Sequence, residues 1–226
     1  MDRQSRLLAT LRGEVVDRPA VSFYEINGLD EDPGDLDPFN IYSDPSWRPL
    51  LTLARERTDR IVMRGVPFEG EPIDPVMERT SVETLIDSSG SRVQTRSVRC
   101  HDRVLTACSR RDPDVNTLWQ TKHLLKGADD LEAYLRLPEP TFGGRPDTTG
   151  VLEVEEQLGE TGIVLIDSPD PLCIAAELFH MADYTIIAST EPLLFRRLLD
   201  RIADVLLQRT EAIAKALPGR LWRIYG

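Results

Sequence analysis

Lysine is almost missing from this chain. Only Lys122, Lys126 and Lys215 occur, and arginine carries nearly all of the positive charge. Acids still outnumber bases, and the formal net charge is -11. With no cationic surplus to displace counterions, a general nucleic-acid binder or anionic-membrane binder is excluded. Cysteine is scarce as well. Cys100, Cys108 and Cys173 are odd in number and irregularly spaced, so they frame no disulfide scaffold. No apolar run approaches the roughly 20 residues that cross a bilayer. Met1–Arg6 shows no apolar signal region. A Gly-rich phosphate loop, a Ser–His–Asp order and a dinucleotide fingerprint are all lacking. The expectation is a soluble protein of a reducing, cytoplasmic compartment.

What is present suits an ordinary core. The 226 residues are 41% hydrophobic, enough for one domain. Residues 2–12 place Leu7, Leu8 and Leu11 on one helical face, and Gly13 ends that helix. Ala20–Glu25 is β-branched and aromatic and predicts a strand. Residues 27–45 are rich in Gly, Asp, Pro and Asn and predict a long loop. A helix capped by Asp44 or Ser46 runs to about Thr58. Ile61–Met63 is a second strand, ending at Arg64-Gly65. The order is βαβ, for which a right-handed crossover is expected.

The period then changes. Within 76–125, residues 76–111 alternate every second position, with Asp87-Ser88-Ser89-Gly90 as a hairpin turn, and Leu118–Leu124 offers one more strand. This predicts an antiparallel β insertion with one solvated face. A short helix follows at Asp129–Leu135, with acids at its amino end where the dipole favours them. Another runs from a Thr148 or Thr149 cap to Gly159. Gly162–Ile166 is wholly apolar and stops at Asp167-Ser168-Pro169-Asp170-Pro171, which reads as a buried parallel strand followed by a helix. The longest helix starts at Glu191-Pro192, with Leu194, Leu198, Ile202, Val205, Leu206, Ile213 and Leu217 as its stripe. Leu221–Tyr225 is a last strand.

Four candidate parallel strands are half of a (β/α)8 barrel, which takes about 250 residues. The expected fold is therefore α/β: an incomplete TIM barrel of roughly the first four strand–helix units. The antiparallel insertion follows strand 2, within one domain, 1–226, that is truncated at its C-terminal side. A small open α/β sheet is the rival. In parallel α/β folds, chemistry sits where the strands end.

Several segments together resemble the uroporphyrinogen decarboxylase family. They are Arg6–Gly13 with Val16-Asp17-Arg18-Pro19, Trp119–Lys122, Ala128–Tyr134 with Leu137-Pro138, Asp170-Pro171-Leu172, and Trp222–Gly226. The resemblance implies a (β/α)8 barrel acting on tetrapyrrole-linked substrates. It implies either cofactor-free decarboxylation of uroporphyrinogen acetates, as in porphyrin and heme biosynthesis, or methyl transfer with a corrinoid and a zinc-bound thiol. The decarboxylases carry an Arg-Gln-Ala-Gly-Arg loop after the first strand. Here that place reads Glu25-Ile26-Asn27-Gly28-Leu29-Asp30, without the arginines that clamp carboxylates. Their aspartate past the second strand is replaced by Arg64-Gly65. Both departures favour the methyltransferase-like branch. By the resemblance, corrinoid and zinc belong to a longer protein, with the zinc ligands in its second half. No metal ligand is assigned here.

Asp167, Arg64 and Glu25 are the candidate catalytic residues, each at a predicted strand end, and are expected to line one pocket. Asp167 serves either as hydrogen-bond acceptor or general base, or, with Ser168, as a helix cap. Glu25 and Arg64 equally suit a plain structural pair. Tyr24, Ser168, Asp170 and Tyr225 are candidate substrate-binding residues, with a cap and turn as the plainer role for Asp170. Cys100-His101 has no second ligand pair at metal spacing. The arginines at 96, 99, 103, 110 and 111 suit an anionic ligand or partner, or a solvated sheet face. The expected partners are a small-molecule or tetrapyrrole-linked substrate, a corrinoid protein and a second copy of the chain. An inactive fragment or non-catalytic binding module is the competing function.

Overall fold

In the computed structural model, the described residues are 1–23, 26–29, 37, 39–40, 42, 44–113, 115 and 117–225. The helices are α1 (Arg3–Leu11), α2 (Arg48–Arg57), α3 (Ala128–Leu135), α4 (Thr149–Leu158), α5 (Pro171–Glu177), α6 (Met181–Thr190) and α7 (Pro192–Ala216). The strands are β1 (Arg60–Arg64), β2 (Phe68–Glu69), β3 (Thr80–Ile86), β4 (Arg92–Cys100), β5 (Arg103–Arg111), β6 (Leu118–Lys122), β7 (Arg145–Pro146), β8 (Gly162–Pro169) and β9 (Leu221–Tyr225). The chain divides into two compact units. One takes residues 1–67, 146–168 and 214–223; the other takes 68–145, 169–213 and 224–226.

The first unit holds a parallel sheet in the order β1-β8-β9. Arg60 pairs with Gly162 and Arg64 with Ile166. Val62, Val164 and Ile166 are buried from one face and Ile163 from the other, as a strand covered on both sides requires. Helix α4 adds Val151, Val154 and Leu158 to this core. Its expected threonine cap is replaced by Asp147, whose Oδ1 accepts from the Thr149 N–H at 3.0 Å. Thr148 itself has helical dihedrals, so its hydroxyl lacks the extended geometry of a cap.

Two expectations fail in this unit for physical reasons. Helix α1 forms where expected, capped by Asp2, which accepts from the Ser5 N–H at 2.7 Å. Yet Leu11 is 60% exposed and Arg6 is buried beside Leu7. The charge is drawn inward by carboxylates. Ala20–Phe23, the described part of the expected first strand, joins no sheet. The Val21 N–H donates to Asp59 Oδ2 at 2.9 Å, and Val21 O accepts from the Asp59 N–H at 2.7 Å. A side-chain carboxylate has taken the donor that a neighbouring strand would need. The described sheet therefore has three strands, not four, and no closed barrel forms among the described residues.

The second unit carries the antiparallel sheet in the order β3-β4-β5-β6. The first hairpin turns at Gly90 with φ +83°, a left-handed value that favours glycine. The second turns through His101-Asp102, with Cys100 opposite Arg103. The insertion predicted for 76–125 is realised between Thr80 and Lys122. One face buries Val98, Cys100, Leu105 and Ala107 in the same cluster as Leu131, Phe179, Phe195 and Leu198. This insertion thus supplies part of a core. Helix α7 also buries Arg201, whose Nη1 donates to Leu137 O at 3.1 Å, with its guanidinium 5.6 Å from the Tyr134 ring. No helix is long and apolar enough to cross a membrane among the described residues.

Candidate functional site

The carboxyl ends of the parallel strands carry most of the sequence-predicted site. Asp167 stands near the carboxyl end of β8, two residues before its last. Its Oδ1 lies 2.6 Å from Arg223 Nε, and its Oδ2 accepts from Arg223 Nη2 at 3.4 Å. Both side chains keep about a quarter of their surface exposed, so the pair is accessible and not fully desolvated. Arg223 Nη1 also meets the Met63 sulfur on β1 at 2.7 Å. One cation therefore ties all three strands together. Asp167 does not cap the following helix. That role falls to Asp170, whose Oδ1 accepts from the Cys173 N–H at 2.7 Å. This fits the plainer reading of Asp170.

Strand alternation separates two of the expected partners. Arg64 is in register with Ile166, one residue before Asp167. Register neighbours share a face and successive residues do not, so Arg64 and Asp167 project to opposite faces. Arg64 Nη1 donates to its neighbour's carbonyl, Met63 O, at 2.9 Å. Glu25 and Tyr24 lie outside the described residues. Ser168 is 8% exposed and turned into the first unit. In the second unit, the Asp170 N–H donates to Tyr225 O at 2.9 Å. The arrangement brings together Asp167 and Arg223, a residue the sequence reading passed over. Its signal was available: Arg223 is the one charged residue within the otherwise apolar and aromatic strand Leu221–Tyr225.

The most heavily bonded polar group lies at the other edge of the sheet. Asp59, fully buried, directly precedes β1. It accepts from Arg6 Nη1 at 2.7 Å, Arg18 Nη1 at 2.7 Å and the Val21 N–H. Arg6 is also held bidentately by Asp17, at 2.7 and 2.8 Å. Burial acts to raise the Asp59 pKa, but Arg18, the Val21 N–H and Arg6 together hold it below the usual carboxylate range. The Arg6 hydrogen bond likewise holds Asp17 low. This cluster sits at the amino ends of the strands, where α/β folds keep stability features. Arg60, beside it, is 4% exposed; its Nε donates to Asn27 O at 2.8 Å. Burial, with Arg3 and Arg55 nearby, lowers its pKa.

Among the described residues, no three His, Cys, Asp or Glu side chains stand together as a metal site. His123 and His180 meet edge to face with centroids 5.8 Å apart, and His180 Nδ1 accepts from the Ala182 N–H at 3.3 Å. Burial, then His180, lowers the His123 pKa. Comparison with known proteins gives no family model, curated protein or solved structure that matches the chain.

Proposed function

We propose that the chain is part of a (β/α)8-barrel enzyme of the uroporphyrinogen decarboxylase group, in its methyltransferase-like branch. The ordered sequence landmarks support the family reading, and a parallel sheet with intervening helices is compatible with it. The observation that carries a site is the Asp167–Arg223 pair, which joins the carboxyl-terminal half of β8 to the middle of β9. Arg223 holds Asp167 in one orientation. The carboxylate then serves as hydrogen-bond acceptor or proton acceptor for a bound substrate, on the accessible side of the sheet. In this branch a corrinoid supplies the methyl group. No described residue is assigned to corrinoid or zinc, and no step is routed through either.

The test is methyl transfer from methylcobalamin to a thiol, followed by the cobalamin absorbance, beside a uroporphyrinogen assay. The expected result is thiol methylation that falls at least about tenfold in Asp167→Asn, the loss of roughly one charge-assisted interaction. Conversion of uroporphyrinogen, or no thiol methylation by the full-length protein, overturns the reading.

A further inference from the structure

The second unit holds a cleft that the Asp167–Arg223 site does not use. It is lined by Glu78, Arg79, Arg99, His101, Arg136, Leu137 and Pro138. The cleft measures about 580 Å³. The three guanidinium groups come from three separate places. Arg79 ends a short 3-10 turn before β3, Arg99 lies on β4, and Arg136 caps the carboxyl end of α3. They line one cleft because the β4–β5 hairpin meets the end of α3: His101 Nε2 lies 3.2 Å from Arg136 O.

Their charge is poorly compensated. Arg79 reaches Glu78 only at 3.5 Å, and Arg136 reaches Asp102 only at 3.8 Å. Both acids are more than half exposed. Arg99 is exposed, and no described residue pairs with it. In a chain of net charge -11, a cleft lined by three arginines against the one carboxylate of Glu78 is a local reversal of sign. Guanidinium groups in one cleft repel one another until an anion bridges them. Their planar forks match the oxygens of a phosphate.

The backbone adds a second observation. His101 has φ +50°, the only left-handed value at a non-glycine among the described residues. A two-residue hairpin requires that sign at its first position, and glycine is the usual occupant. Histidine there is strained, and such strain clusters at ligand sites. Exposed Pro138 gives the cleft an apolar surface beside its cations, while Leu137 is itself buried.

We infer that this cleft binds a small organic phosphate monoester, its phosphate held by Arg79, Arg99 and Arg136 and its organic part laid on Pro138. The carbonyl-bound ring of His101 holds the hairpin in place. The oxygens of free phosphate fit the same forks but leave the apolar surface empty.

The experiment is calorimetric titration of the whole chain at low salt with phenyl phosphate, inorganic phosphate and succinate. Phenyl phosphate is expected to bind saturably and more tightly than the other two. Its affinity falls about tenfold in Arg99→Ala and in Arg136→Ala, the loss of one charged hydrogen-bonding group. It also weakens as salt rises. Arg57→Ala, which removes an exposed arginine of the first unit, leaves binding unchanged. Circular dichroism checks that each variant keeps its fold. Equal or tighter binding of inorganic phosphate or succinate overturns the assignment. So does a loss in Arg57→Ala as large as in Arg99→Ala, or no saturable binding at all. None of these readouts depends on methyl transfer.

Discussion

Replacing Asp59 by Asn tests the reasoning about the amino edge of the sheet. The carboxylate is fully buried and accepts from two guanidinium groups and one backbone N–H. Asparagine fills nearly the same volume, but it is neutral and turns a donor toward the arginines. Removing one partner of a buried ion pair costs about 3–5 kcal/mol, because the other charge is left uncompensated. Two facts set this case at the low end. Arg6 keeps Asp17, and the Arg18 side chain is 42% exposed and rehydrates. The expected loss is about 3 kcal/mol, or roughly 6–12 °C in Tm for a chain of this size. Thermal and urea unfolding by circular dichroism measure it. A loss below about 1 kcal/mol refutes the idea that this cluster fixes α1 and residues 17–21 to β1.

The pH dependence gives a second reading of the same variant. Asp59 and Asp17 both have folded pKa values held below the usual range. Their stabilisation is therefore present above the unfolded pKa of about 4 and is lost as pH falls toward the folded values. The deficit of Asp59→Asn is expected to shrink as pH falls below about 4, since the wild type then loses the same charge. A deficit constant across that window contradicts the assignment.

Other outcomes follow from single contacts. Gly162→Ala is expected to destabilise by about 3 kcal/mol or more in urea unfolding. Its Cβ would meet the Arg60 backbone carbonyl across the β1–β8 ladder, where neither strand can move aside. Asp170→Ala removes the α5 cap and is expected to cost about 1 kcal/mol, while leaving thiol methylation unchanged. Substituting Asp167→Asn and Arg223→Gln singly and together is expected to give a coupling of about 1 kcal/mol in a double-mutant cycle of stability, as suits a pair only partly removed from water. Additive losses would show the two side chains to be energetically independent.

The sequence by itself determined the features that depend on neighbours along the chain. Period-two alternation marked the insertion, and Asp87–Gly90 marked its hairpin. Gly162–Ile166 read as a strand because an apolar run cannot stay in water, and Asp170-Pro171 read as a helix start because both residues favour that geometry. Each signal acts over a few residues, where propensity and periodicity are legible. Only the tertiary structure decided which distant charges meet. Asp59 captures the Val21 N–H, so the described part of the expected first strand joins no ladder. The same carboxylate draws Arg6 inward and leaves Leu11 outside. Register puts Arg64 and Asp167 on opposite faces, and the order of strands gives Asp167 a partner 56 residues away in Arg223. An ion pair carries no periodicity. Its partners are chosen by which strands and helices lie side by side, and hydrophobic burial of the whole chain sets that arrangement.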